Sequence, residues 1–92
     1  MSSAASPRFT AKQGQYLAFI STYTLLHREP PAEADFQRFF QVTPPAVHAM
    51  IVALERRRLI SRVPRHPRTI KLLVSAEELP ALQPIKITAV GY

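Results

Sequence analysis

Apolar side chains near the start of the chain recur every three or four positions, through Leu17, Ile20, Tyr23/Thr24 and His27. That period predicts a helix over roughly 11–28. Ahead of it, Thr10-Ala11-Lys12-Gln13 is a capping-box pattern: the Thr10 hydroxyl accepts from a first-turn amide and Gln13 reaches back. Phe9 stands where a hydrophobic staple would, and Pro30-Pro31 stops the helix. A second helical window runs from Ala32 to Phe40, with Phe36 and Phe40 facing one way and Phe39 aside. It ends near Gln41-Val42 without a glycine. Thr43-Pro44-Pro45 opens a third helix over 43–58. Thr43 is its N-cap, and the prolines sit in the first turn, where a missing N–H costs nothing. Val47, Met50/Ile51 and Leu54 form the inner stripe, and Arg56-Arg57-Arg58 the last turn, where cations complement the helix dipole.

The period then shortens to two. Leu59, Ser61 and Val63 alternate with Ile60 and Arg62, and Thr69, Lys71 and Leu73 with Ile70, Leu72 and Val74. Two short strands around Pro64-Arg65-His66-Pro67-Arg68 make a hairpin with a basic turn. Ser75-Ala76-Glu77-Glu78 is a second capping box before Pro80, and Pro84 to Val90 alternates like an edge strand. The order predicts a mainly α fold with a small β-hairpin, a three-helix winged helix-turn-helix. Residues 1–8 are expected to form a flexible tail, 9–74 the domain, and 75–92 a C-terminal extension.

Charge sharpens this picture. The 92 residues carry twelve Lys and Arg against six Asp and Glu, a net charge of +6. Residues 44–73 hold seven of those cations (Arg56, Arg57, Arg58, Arg62, Arg65, Arg68 and Lys71) and one acid, Glu55. Arg matches phosphate and guanine edges with a planar fork, so charge concentrated in this way points to nucleic acid. The plainer alternative is a solvated surface. Expected DNA contacts are Thr43, Pro45, Ala46, His48, Ala49, Arg56 and Arg57 on the third helix. Arg62, Arg65, His66, Arg68 and Lys71 add the wing. Pro45, Ala46 and Ala49 keep the helix face small enough for close approach to thymine methyls, and His48 can reach a base edge or a phosphate. Together these side chains are expected to make one continuous positive face.

Enzyme chemistry finds no support. There is no cysteine and a single aspartate, and His27, His48 and His66 are 21 and 18 residues apart, which is no metal-ligand spacing. Gly14 and Gly91 are too few for a phosphate-cradling loop. No catalytic residue, metal or cofactor is expected. The longest apolar-leaning stretch, Tyr16 to Leu26, is far short of the ~20 residues that span a bilayer. A cytoplasmic protein without a membrane partner is expected.

Several blocks together resemble the DNA-binding domain of LexA-type repressors. They are Phe9-Thr10-Ala11-Lys12-Gln13, Arg28-Glu29-Pro30-Pro31, Ala34-Asp35-Phe36, Thr43-Pro44-Pro45-Ala46-Val47, Ala53 to Ile60, and Arg68 to Leu73. The resemblance implies a winged helix-turn-helix that binds operator DNA and represses transcription. Where the family reads its operator with an Asn and two Glu, this chain has Pro45, His48 and Ala49, which implies a different operator. Where the family has a glycine before the wing, this chain has Arg58, which implies a strained backbone or a reshaped turn there. The family's self-cleaving peptidase domain is not expected in the residues after 74.

The expected function is sequence-specific binding of double-stranded DNA by a transcriptional regulator, a repressor on the family's pattern. Helix 43–58 would enter the major groove and the wing would lie on the backbone or in the minor groove. Phe39, Met50 and Val52 are more apolar than a monomeric DNA module needs, which leaves room for a homodimer on DNA. The rival readings are a protein-interaction winged helix and non-specific nucleic-acid or RNA binding.

Overall fold

A computed structural model describes residues 8–84. The expected N-terminal tail lies largely outside the described residues, and so does the edge-strand pattern of Pro84 to Val90, all but Pro84. Three helices come first: α1 (Ala11–His27), α2 (Glu33–Phe40) and α3 (Pro44–Arg56). Two short antiparallel strands follow, β1 (Ile60–Ser61) and β2 (Lys71–Leu72), paired Ile60 to Leu72 and Ser61 to Lys71. This is a winged helix-turn-helix.

The local signals form as their chemistry requires. The Thr10 hydroxyl accepts from the Gln13 N–H at 3.1 Å, and the Gln13 side chain accepts from the Thr10 N–H at 3.0 Å. Thr43 caps α3 by accepting from the Ala46 N–H at 3.3 Å. Val47, Ile51 and Leu54, one helical turn apart, are wholly buried. They meet Leu17 and Ile20 of α1 in a core shared with Leu59, Ile60 and Ile70 of the wing. An aromatic stack fills the gap between α1 and α2. Tyr16 lies 4.4 Å from Phe40 and 5.4 Å from Phe36, and Phe19 lies 5.0 Å from Phe36, ring centre to ring centre.

Several expectations need correction. Phe39 does not turn aside, because its ring centre is 4.9 Å from that of Phe19 in the same cluster. With Met50 it packs, partly buried, against the core. The stripe of α1 does not persist to His27: the helix overshoots the core, leaving Leu25 and Leu26 79% and 70% exposed. The third helix ends at Arg56 rather than 58. Arg58 takes the left-handed conformation at φ 60°, donating its N–H to the Glu55 carbonyl, while the Leu59 N–H reaches the Leu54 carbonyl. These two bonds are a Schellman ending, with Arg58 at the position that favours glycine. The turn also breaks the expected alternation. Leu59 closes it against Leu54 and Ile60 begins the strand, so both neighbours are buried.

Residues 75–84 fold back on α1. Ser75 and Glu78 close their capping box around a single 3-10 turn, Ala76–Glu78. Gln15 then bonds the chain on both sides, donating to the Ala81 carbonyl and accepting from the Gln83 N–H. Gly14 permits this approach. A Cβ there would come within 3.0 Å of Phe9 and 3.1 Å of Pro80.

Candidate nucleic-acid interface

The α2–α3 pair supplies the geometry of a recognition helix. Gln41, left-handed at φ 56°, ends α2 and sends its N–H to the Gln37 carbonyl. Only Gln41, Val42 and Thr43 separate the helices, so α3 must turn sharply across α2. With Val47, Ile51 and Leu54 committed inward, successive steps of about 100° per residue turn Pro45, Ala46, His48, Ala49 and Arg56 outward. All five are exposed, as is Thr43. The opening turns of α3 are thus uncovered and built of small side chains.

His48 is the exception in size and polarity. Its Nδ1 lies 3.3 Å from Oε2 of Glu33, on the first turn of α2, and its side chain stays 58% exposed. Glu33 is a candidate that no sequence pattern marked. It is 15 residues from His48, and only the crossing of two helices joins them.

The wing is held from within. The Thr69 hydroxyl accepts from the Val63 N–H at 2.9 Å and lies 2.9 Å from the His66 carbonyl. The His66 N–H returns to the Val63 carbonyl at 3.1 Å. Arg65 and Arg68 adopt left-handed backbone at φ 67° and 61°. The turn carries Arg65 and His66 outward, and both are exposed. They share a cleft of about 340 Å³ with Pro31, Glu33 and Ile51, so wing tip, α2 start and α3 meet at one place.

The other cations part company here. Arg62 donates its Nε–H to Glu55 at 3.1 Å and is only 19% exposed. Arg68 donates to the Tyr23 hydroxyl at 3.1 Å and the Pro30 carbonyl at 3.3 Å, and stands 3.2 Å from Asp35 and 3.5 Å from Glu29. Its guanidinium also lies over the Tyr23 ring, 5.9 Å from the centre. Burial opposes ionisation of Asp35. The Ala32 N–H, Arg68 and Arg38 outweigh it and hold the carboxyl below its ordinary range. The hydrogen bond to Tyr23, with the nearby Asp35 and Glu29, raises the pKa of Arg68 still further. Arg57 donates to the Arg8 carbonyl at 2.9 Å, towards the start of α1. Lys71 is exposed on β2, beside an apolar groove of about 620 Å³ that Ile20, Leu25 and Leu72 line. Among the described residues, no carboxylate lies within ion-pair distance of Arg56, Arg57, Arg58, Arg65 or Lys71. The cations thus divide between an anchored set, Arg62 and Arg68, and a set open to a polyanion.

No family model matches the chain. Over 79 residues it is 33% identical to the LexA repressor of Thermosipho melanesiensis, covering 86% of this chain and 39% of that protein. Over 68 residues it is 32% identical to the LexA repressor of Thermosipho africanus, covering 74% of this chain and 34% of that protein. The chain spans little more than a third of the length of these curated relatives.

Proposed function

We propose, from a winged helix-turn-helix whose sequence is similar to LexA repressors over most of its length, that this chain is a LexA-type DNA-binding domain. It binds operator duplex sequence-specifically and represses transcription. Residues 9–74 carry the DNA contacts. The stretch 75–84 braces α1 from behind.

The observation that carries this reading is the uncovered, small-residue opening of α3 beside an exposed basic wing tip. Pro45, Ala46, His48 and Ala49 approach base edges in the major groove, and Thr43 touches a phosphate. Arg56, Arg57, Arg65, His66 and Lys71 meet phosphates, and Arg65 and His66 track the backbone or the minor groove. Arg62 and Arg68 hold the wing in place for those contacts. A second copy on a palindromic site would double the short stretch that one module reads. Among the described residues no helix is long and apolar enough to cross a membrane. The proposed work on DNA places the protein in the cytoplasm.

Fluorescence anisotropy tests the reading with random duplex, single-stranded DNA and RNA at several salt concentrations. The contacts of the four Arg and Lys side chains, Arg56, Arg57, Arg65 and Lys71, give a slope of log K against log salt of roughly −3.6 per protomer on duplex. Selection from random duplexes should then yield a motif. Equal affinity for RNA and duplex, or a slope near zero, would overturn it.

A further inference from the structure

We propose that Glu33 fixes the hydrogen-bonding character of His48 and thereby sets which bases the α3 face prefers. This makes Glu33 a positioning residue for sequence readout, and it rests on the DNA-binding function proposed above. On the open face of the first turns of α3, Pro45, Ala46 and Ala49 offer no side-chain donor or acceptor, and the Thr43 hydroxyl, which accepts from the Ala46 N–H, keeps its O–H for a phosphate. The polar side chain left for the bases is His48.

An ionised carboxylate only accepts hydrogen bonds. The 3.3 Å approach of Glu33 Oε2 therefore places the proton of a neutral His48 ring on Nδ1. Nε2 is left as a bare lone pair on a side chain that remains mostly exposed. In the major groove a lone pair finds its match in the N6 amino group of adenine or the N4 amino group of cytosine. It opposes the acceptors of guanine and thymine. The carboxylate has a second effect: its negative charge disfavours a phosphate beside it, so the ring is kept for the bases. Without Glu33, the ring could take either tautomer and donate to whatever lay opposite.

Two measurements at pH 8 test this. The ¹⁵N shifts of the His48 ring in the free protein should show the Nδ1–H tautomer, and Glu33→Ala should shift the ring towards Nε2–H. Selection from random duplexes should give a position, on the strand that His48 faces, where adenine or cytosine is enriched about fivefold over guanine or thymine. That preference should vanish in both Glu33→Ala and His48→Ala. Affinity of Glu33→Ala for random duplex should stay the same or rise, because a negative charge has gone. An Nε2–H tautomer in the wild type would overturn the inference, as would a His48-dependent preference for guanine or thymine. A wild-type motif unchanged by Glu33→Ala would overturn it while leaving the DNA-binding reading intact. Failure of the wild type to enrich any duplex would remove both.

Discussion

The opening of α3 and the wing differ in what their polar side chains are free to do. On α3 one hydroxyl is spent on a cap, and the rest of the outer face is small or open. In the wing, two of the three arginines between residues 62 and 68 are turned back into the protein, Arg62 onto Glu55 and Arg68 onto Tyr23, Pro30, Glu29 and Asp35. A cation counted in the sequence is not a cation offered to a partner. Arg68 joins the hairpin to α1 and α2, and so determines where Arg65 and His66 stand. The wing's arginines are thus of two kinds, with the inner two, Arg62 and Arg68, setting the position of the outer one, Arg65.

The largest expected effect tests that anchoring. Asp35→Ala removes the carboxylate that accepts from the Ala32 N–H and faces Arg38 and Arg68. Loss of a cap and of charged hydrogen bonds should lower unfolding stability by about 2 kcal/mol in a urea titration. The pH dependence has a definite sign. Because the folded state holds this carboxyl below its ordinary value, its stabilisation is complete above the unfolded value near 4 and is lost as pH falls through the folded one. Stability of the wild type should therefore fall below pH 4, and that fall should be shallower in Asp35→Ala. Equal slopes would mean that the Asp35 cluster does not hold the wing.

The second effect separates the two sets of arginines. Arg56→Ala with Arg65→Ala should weaken binding to every duplex about tenfold and reduce the salt slope by up to about 1.8, with little change in stability. Arg62→Ala, by contrast, should leave the slope near its wild-type value. If Arg62→Ala flattened the slope as much as Arg65→Ala does, the division into anchored and open cations would be wrong.

How much of this was legible in the sequence depends on the range of each contact. The caps at Thr10, Thr43 and Ser75 close over three residues, so their residue pattern is enough to find them. The inner stripe of α3 is equally plain, because a helix repeats itself. Arg68 is different. Its partners lie 33 to 45 residues away, and nothing near it in the chain distinguishes it from Arg65. The charge pattern therefore identified a basic region but not its division. Glu33 was invisible for the same reason. The burial of both Leu59 and Ile60 was hidden by a third cause, a helix ending that takes one residue out of the strand's alternation.

A smaller change probes the α3 side. Thr43→Ala removes the acceptor for the Ala46 N–H and should cost about 1 kcal/mol of stability. If Thr43 also meets a phosphate, duplex affinity should fall even where the protein remains fully folded. Binding measured well below the melting temperature distinguishes the two roles. Affinity unchanged there would restrict Thr43 to capping.

The smallest effect concerns the junction between the two regions. Arg58 adopts a left-handed backbone at φ 60°, a conformation that glycine enters without a Cβ penalty. The gain from Arg58→Gly is reduced by the greater freedom of glycine in the unfolded chain, so a net stabilisation of about 0.5 kcal/mol is expected. An exposed cation is lost in the same change. If Arg58 contacts phosphate, the variant should melt higher yet bind duplex more weakly, with the salt slope reduced by up to about 0.9. If it binds as tightly as the wild type with an unchanged slope, Arg58 has no DNA role, and the open set of cations shrinks to Arg56, Arg57, Arg65 and Lys71. A variant that melts lower would instead mean that the Arg58 side chain makes a stabilising contact worth more than the strain of its backbone.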